Sequence, residues 1–187
     1  SRVGSEMCIS DSAWVARNES TREALARSTR FRNMHERFQS ILDSGAKIPS
    51  VTRIGEHFYN LWKDEQHPRG VWRRATPREY GKRTPRWETV LDLDALGRSE
   101  NESWVFKGVI CEALRGRRCL VRLSRGGADA VLVRELDLVE KAFVKAGFVL
   151  PEAKTRVAWA STNELLVATD FGPGTMTASG YPRVVKR

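Results

Sequence analysis

The 187-residue sequence predicts a mainly β protein with helices at its N-terminus, whose antiparallel sheets form part of a β-propeller. The first thirty residues after Ser12 contain no Gly or Pro, which favours helix. Beyond them, short runs alternate apolar with polar residues between turn residues, which is typical of strands. Trp62, Trp104 and Trp159 begin or end successive groups of these strands, at spacings of about forty to fifty-five residues. Such spacing is typical of propeller blades, each a small antiparallel sheet.

The N-terminal segment is expected to be helical over residues 12–42. Ser20 and Glu23 have the spacing of a capping box, which predicts that a second helix begins there. Apolar residues then recur at helical spacing and form one stripe, and Gly45 is expected to end the helix. The stripe consists of Phe31, Met34, Phe38, Ile41 and Leu42.

The first strands follow a connection over residues 45–54. His57–Trp62 and Val71–Ala75 are expected to pair around a turn at residues 67–70, where Pro68 and Gly70 favour reversal of the chain. A short apolar strand is predicted at residues 90–93. The polar residues 94–103 are expected to form a loop.

A β-hairpin over residues 119–137 is the best-defined local structure. It is preceded by a predicted strand at residues 104–112, and both of its own strands alternate apolar and polar residues. Gly126 and Gly127 can take the positive φ values of a tight turn, and Asp129 is expected to accept hydrogen bonds from nearby backbone amides. A phosphate-binding loop is not favoured, because no Walker lysine follows and the next element is a strand.

The remaining sequence continues the strand pattern. A fourth strand is predicted at residues 142–149, ended by Pro151. Residues 157–159 and 164–169 are expected to pair around a turn, and a final extended stretch follows the break at residues 170–174.

The net charge of +9 raises the possibility of a nucleic-acid partner. Residues 67–87 hold seven basic residues and one acid, interleaved with Trp72, Tyr80 and Trp87. Basic and aromatic residues together bind single strands by charge and stacking. No recognised nucleic-acid motif accompanies them, and solvated arginines on a sheet surface explain them as well.

Three cysteines, Cys8, Cys111 and Cys119, lack metal-site spacing, so reduced thiols in a cytoplasmic protein are expected. Cys111 and Cys119 flank a short loop, which would place them opposite each other on paired strands, but buried thiols explain them equally well. No apolar run reaches the length of a membrane span, and neither a membrane partner nor a cofactor is expected.

No catalytic, cofactor-binding or metal-binding residue is assigned. The sequence has no Gly-x-Ser-x-Gly elbow, and His35, His57 and His67 lie near no convincing nucleophile. Asp92 and Asp94 would share a strand face, but they are interpreted as the polar end of a strand rather than a catalytic pair.

Taken together and in order, a series of short motifs resembles the N-terminal region of the prolyl oligopeptidase family, in its bacterial branch. Each motif alone is weak, and the order over nearly the whole chain makes the resemblance specific. The motifs are Tyr59-Asn60-Leu61-Trp62, His67-Pro68-Arg69-Gly70-Val71-Trp72-Arg73-Arg74, Trp87-Glu88-Thr89-Val90-Leu91-Asp92, Leu123-Ser124-Arg125-Gly126-Gly127-Ala128-Asp129, Gly147-Phe148-Val149-Leu150-Pro151-Glu152-Ala153-Lys154, Thr169-Asp170-Phe171-Gly172 and Gly180-Tyr181-Pro182-Arg183.

The resemblance implies a serine peptidase that cleaves short peptides after proline, with a seven-bladed propeller covering an α/β-hydrolase domain. Residues 1–54 would be the N-terminal helical segment, and residues 55–187 the first blades of an incomplete propeller. The chain would be a non-catalytic part that gates short peptides to a triad lying C-terminal to it, with the hydrolase domain as its partner. Two alternatives stay open: a stand-alone propeller-like binding module and a basic single-stranded nucleic-acid binder.

Overall fold

The computed structural model describes residues 3–44, 50–113 and 116–187. By its internal contacts the chain divides into two compact units, Ser1–Ala46 and Lys47–Arg187. The first is helical and the second is built mainly of strands. The predicted boundary between a helical segment at residues 1–54 and propeller blades at residues 55–187 stays a prediction.

The helical unit contains α1 (Val3–Ala26) and α2 (Thr29–Asp43). The predicted restart at Ser20 is wrong, because α1 runs through it. The second helix begins later, at α2, whose N-cap is Ser28. Ser28 has extended backbone and accepts a hydrogen bond from the Phe31 amide at 3.1 Å. Gly45, predicted to end α2, lies outside the described residues. No helix in the described ranges is long and apolar enough to cross a membrane.

The first sheet has four antiparallel strands in sequence order, and a short helix, α3 (Pro77–Tyr80), lies between the last two. The two predicted strands around the Pro68 turn are confirmed with the expected bounds. A third strand, assigned to the connection from sequence, pairs at the edge of the sheet. The strands are β1 (Thr52–Ile54), β2 (His57–Trp62), β3 (Val71–Ala75) and β4 (Glu88–Asp92).

Helix α4 (Leu93–Glu100) replaces most of the loop predicted at residues 94–103. Asp92 caps it by accepting a hydrogen bond from the Ala95 amide at 2.9 Å, and Leu93 at its start is fully buried. Asp94 accepts hydrogen bonds from the Arg69 and Gly70 amides at 3.1 and 3.2 Å. Both aspartates are therefore structural groups that hold the helix and the β2–β3 turn.

The second sheet has the order β5-β6-β7-β8, with one further strand, β9, pairing with β7. It contains the predicted hairpin, which is confirmed as β6 and β7. The strand predicted at residues 142–149 is wrong in part, because a turn from Val144 to Gly147 divides it in two and Pro151 lies within β9. The strands are β5 (Trp104–Cys111), β6 (Arg118–Arg125), β7 (Val131–Asp137), β8 (Ala142–Phe143) and β9 (Val149–Ala153).

The turn between β6 and β7 depends on glycine as predicted, with φ of 60° at Gly126 and 92° at Gly127. Among the described residues, no backbone amide donates to Asp129 as expected. The Ser124 hydroxyl donates to the Ala128 carbonyl at 2.7 Å instead, and the Asp129 carboxylate lies 4.0 Å from Lys154 Nζ. A side chain on the strand, rather than one in the loop, fixes this turn.

The third sheet contains β10 (Arg156–Ser161) and β11 (Glu164–Ala168), which confirms the last predicted pair. The final stretch makes isolated bridges, Val167 with Lys186 and Met176 with Pro182, rather than a named strand.

Two hydrophobic clusters join consecutive sheets. One contains Trp72 of the first sheet and Trp104 of the second, together with Leu93 of α4. The other contains Val133 of the second sheet and Leu165 of the third. Consecutive antiparallel sheets that share apolar cores agree with the predicted fold class, a mainly β chain of propeller-type sheets with helices before them.

Cys111 and Cys119 form a disulfide, which corrects the expectation of reduced thiols. The register of β5 on β6 places the two residues directly opposite each other, with their Cα atoms 3.9 Å apart. Sequence spacing alone did not fix this register, because an irregularity between Phe106 and Val109 shifts it. The argument for a cytoplasmic location from reduced thiols therefore no longer holds.

Candidate functional site

The histidines form no nucleophilic site. In the part of the chain that the structure describes, neither His35, His57 nor His67 is hydrogen-bonded to a serine or cysteine. His67 Nδ1 lies 2.9 Å from Asp64 Oδ1, and the same carboxylate accepts from the indole Nε1 of Trp62 at 2.8 Å. Burial alone would raise the pKa of Asp64, but the hydrogen bonds from Trp62 and His67 outweigh it and lower that pKa. Asp64 and His67 therefore stabilise a loop.

Arg73, in the basic segment, lies between two indole rings. Its guanidinium carbon is 4.2 Å from the ring centre of Trp62 and 4.4 Å from that of Trp87. Its Nε also donates to the buried Asn60 side chain at 3.1 Å. Burial lowers the pKa of Arg73 to about 10. The interleaving of basic and aromatic residues therefore builds the sheet, rather than a stacking surface open to bases.

Three further cations of the same segment, Arg69, Arg74 and Lys82, are held by neighbouring side chains or carbonyls. Arg74 Nε donates to Glu88 at 2.6 Å, and the Arg74 guanidinium also reaches the Leu138 carbonyl at 2.7 Å. Lys82 pairs with Glu79. Arg69 donates to the Ser103 hydroxyl at 2.7 Å. These contacts favour the interpretation of the segment as sheet surface.

A different group of cations lines an open cleft of about 580 Å³ in the strand-rich unit, which we call the basic cleft. Lys107 comes from β5 and Arg122 from β6, whereas Lys154 and Arg156 come from the junction of β9 and β10. Tyr181 and Asp129 lie on its walls.

The cations of the basic cleft are held largely by neutral groups. Lys107 Nζ donates to the Gly127 carbonyl at 3.0 Å, and Lys154 Nζ to the Ser179 carbonyl at 3.0 Å. The ammonium of Lys154 also lies 4.4 Å from the ring centre of Tyr181. Arg122 Nη2 donates to the Lys107 carbonyl at 2.6 Å. Backbone carbonyls and a ring position these side chains without neutralising their charge.

The helical unit carries an apolar surface of its own. Phe31, Met34, Phe38 and Ile41 of α2 recur at helical spacing, and each is between 43% and 57% exposed. Leu42 beside them is also exposed. An exposed apolar stripe of this kind marks an interaction surface more often than a solvent-facing one.

Comparison with known protein families shows to which family the chain belongs. Residues 10–182 match the family described as "Prolyl oligopeptidase, N-terminal beta-propeller domain". The chain belongs to this family. The resemblance inferred from the ordered motifs is thus confirmed, and the successive sheets are propeller sheets.

Curated relatives of this propeller domain are named as peptidases. An uncharacterized peptidase of Sinorhizobium fredii is 42% identical over 176 residues, which are 92% of this chain and 24% of that protein. An uncharacterized peptidase of Rickettsia prowazekii is 31% identical over 175 residues, covering 89% of this chain and 24% of that protein. The chain therefore spans about a quarter of the length of these relatives.

Solved structures agree. A post-proline cleaving enzyme from Rickettsia typhi is 30% identical and superposes with a TM-score of 0.81, over 89% of this chain and 25% of that one. One of two prolyl endopeptidases studied for inter-domain dynamics superposes with a TM-score of 0.63 at 14% identity, over 88% of this chain and 24% of that one. The second match shows the shared propeller fold only.

The sequence did not point to the basic cleft of this propeller domain. Its four cations are scattered from Lys107 to Arg156, and only the strand pairing brings them to one place. The available signal was weak: basic residues inside otherwise apolar strands, at Lys107 and Arg122. That no catalytic, cofactor or metal residue belongs to this chain stays a prediction.

Proposed function

We propose that this propeller domain is the non-catalytic N-terminal part of a serine-type peptidase that cleaves short peptides after proline. The observation that carries the proposal is the similarity to the post-proline cleaving enzyme of Rickettsia typhi, at a TM-score of 0.81 and 30% identity. The matched region is 25% of that enzyme. In this proposal the catalytic triad lies in a C-terminal α/β-hydrolase domain, which the propeller covers so that only short peptides enter.

The apolar stripe on α2 favours contact between this helix and another domain. Burying its four exposed residues, Phe31, Met34, Phe38 and Ile41, would each contribute about 1–3 kcal/mol, which is enough to hold the helix on a domain. We propose the hydrolase domain of the same protein as that partner. No residue of α2 is buried within the described chain. A partner that covers the stripe would explain why this helix carries such large apolar side chains.

A cytoplasmic location remains a proposal without the support of reduced thiols. Fractionation of the producing cells into cytoplasm, membrane and exported protein tests it. Recovery in the exported fraction would overturn it and would agree with the Cys111–Cys119 disulfide.

The peptidase proposal is tested with a chromogenic peptide that releases its reporter after proline. We expect turnover by the complete gene product, loss of turnover after treatment with a serine-directed fluorophosphonate, and none by the 187-residue chain alone. A Gly-x-Ser-x-Gly elbow followed by Asp and His in the complete reading frame would agree. Turnover by this chain alone, or a complete product inactive on every proline peptide, would overturn the proposal.

The nucleic-acid alternative has its own test. Binding of the chain to single-stranded DNA that weakens steeply with salt would support it, because phosphate contacts release counterions. The pairing of Arg74 with Glu88 and the enclosure of Arg73 between two indoles make weak binding the expected result.

A further inference from the structure

We propose that the basic cleft binds a carboxylate group of a short peptide, an inference that rests on the proposed peptidase function. The proposed function supplies the class of ligand, and the cleft adds which chemical group of that ligand the propeller recognises. The argument depends on the charge of the cleft, on one unsatisfied donor and on its mixed lining.

The charge of the basic cleft is not balanced within the described residues. Four cations line it, Lys107, Arg122, Lys154 and Arg156, and the one carboxylate on its wall is that of Asp129. That carboxylate is 78% exposed and lies 4.0 Å from Lys154 Nζ, the outer limit of an ion pair. Arg156 forms no ion pair with any described residue. An anion entering the cleft therefore meets several positive charges that the fold has not neutralised.

Arg122 supplies a donor that lacks an acceptor. Its Nε is buried and has no hydrogen-bond partner among the described residues, whereas its Nη2 is held by the Lys107 carbonyl. An unpaired buried donor on a charged group is costly, so it requires an explanation, such as a bound water or ion, a functional role or strain. Gly108 lies beside this guanidinium, and a Cβ built there would be 3.3 Å from Arg122 Nη2. The absence of a side chain at Gly108 leaves room for Arg122.

The lining favours a peptide carboxylate over a free phosphate. Ile110, Val131 and Val157 lie among the cations, and Tyr181 adds a ring. A phosphate ion would leave these apolar groups without contacts, whereas a peptide carries apolar atoms next to its carboxylate. A volume of about 580 Å³ is within the range of small-ligand sites and accommodates a few residues of peptide. Arginine also pairs with carboxylates through two parallel hydrogen bonds.

The test measures equilibrium binding of fluorescent proline peptides to the complete gene product after treatment with the serine-directed fluorophosphonate, so that the peptides are not cleaved during the measurement. One pair of peptides differs only in a free or an amidated C-terminus. A second pair has an amidated C-terminus and differs only in one Asp or Asn side chain. We expect the carboxylate form of one pair to bind at least about 10-fold more tightly than its neutral partner. The pair that shows the difference identifies whether a terminal or a side-chain carboxylate is bound.

Two variants locate the effect. Arg156→Gln removes an exposed charge of the cleft, and we expect it to reduce the preference for the carboxylate form to about 3-fold or less. Arg183→Gln removes an exposed arginine that does not line the cleft, and we expect the full preference to remain. Because both positions are exposed, neither variant is expected to change the melting temperature.

Equal affinity within both peptide pairs would overturn the inference, as would a preference that survives Arg156→Gln. These outcomes are separate from failure of the proposed function. Post-proline cleavage without a carboxylate preference would reject the cleft assignment and retain the peptidase. A carboxylate preference that Arg156→Gln removes, without any cleavage, would support the cleft and reject the peptidase.

Discussion

Arg74 on β3 and Glu88 on β4 are joined by a hydrogen-bonded ion pair, with Arg74 Nε 2.6 Å from the Glu88 carboxylate. The same carboxylate accepts from Lys141 Nζ at 2.7 Å. Lys141 follows β7, so one acidic side chain links the first sheet to the second. The hydrogen bonds from Arg74 and Lys141 lower the pKa of Glu88 from 4.5 to about 2.

This relationship predicts a dependence of stability on pH. Because the pKa of Glu88 is lower in the folded protein, its stabilising contribution is fully present above 4.5 and is lost as the pH falls towards about 2. Glu88→Gln should remove that part of the acid sensitivity, with a loss of no more than about 1 kcal/mol near neutral pH, because the carboxylate is partly exposed. Urea unfolding of the two proteins between pH 7 and pH 2 measures the acid sensitivity and the loss of stability near neutral pH. Glu56→Gln, at an exposed carboxylate 3.9 Å from Arg53, is the matched control, and an equal effect there would contradict the assignment.

Gly147 should not tolerate a side chain. A Cβ at this position would lie 2.7 Å from Val144 Cβ and 2.7 Å from Glu135 Oε2, and Glu135 is buried and accepts the Phe148 amide at 2.8 Å. We expect Gly147→Ala to lower the free energy of unfolding by about 1–3 kcal/mol.

The control for Gly147 is Gly81→Ala, where the nearest atom would be 3.6 Å away and φ is already −72°. Alanine there should be neutral or stabilise by up to about 1 kcal/mol. Denaturant unfolding of the two variants decides between steric exclusion and a general cost of replacing glycine. Equal losses at both positions would exclude the steric explanation.

The position of the helix boundary is tested by two serines. Ser28→Ala removes the cap of α2 and should destabilise that helix by about 1 kcal/mol, because the Phe31 amide loses its acceptor. Ser20→Ala lies inside α1 and should leave helicity unchanged or raise it slightly. Thermal melting followed by far-ultraviolet circular dichroism compares them. A larger loss from Ser20→Ala would restore the capping box expected from sequence.

The disulfide predicts a definite alkylation pattern. Unfolded without a reductant, the chain should take one alkyl group on its three cysteines, because Cys111 and Cys119 are bonded to each other. With a reductant it should take three, and Cys8→Ala should reduce the two numbers to none and two. Mass spectrometry of the intact protein reads the result. Three alkyl groups before reduction would show that the pair is not formed in the purified protein.

The elements that could be predicted are those whose sequence pattern lies within a short stretch of the chain. β2 and β3 are short runs rich in aromatic and β-branched residues on either side of Pro68 and Gly70, and the β6–β7 hairpin has its turn at Gly126 and Gly127, so no distant contact was needed to identify them. The family, too, followed from motifs read in order. These features are properties of short stretches of sequence, and the structure retains them.

Apart from the helix boundary, where Ser28 rather than Ser20 is the cap, the errors concern features set by distant partners. α4 has a loop-like composition but forms because Asp92 caps it and Leu93 is buried in the core of two sheets. The break between β8 and β9 depends on Glu135, whose carboxylate accepts the Phe148 amide thirteen residues later. The disulfide and the basic cleft likewise depend on strand register, which periodicity alone does not fix.

The order of the strands has a consequence for synthesis. Each strand of the first sheet pairs with the strand next to it in sequence, and the same holds for β5 to β8 and for β10 with β11. Such pairings close short loops and need no residues from later in the chain. The backbone hydrogen bonds of each sheet can therefore form on the ribosome as soon as its last strand has emerged, whereas the apolar cores that consecutive sheets share form only when the next sheet has followed.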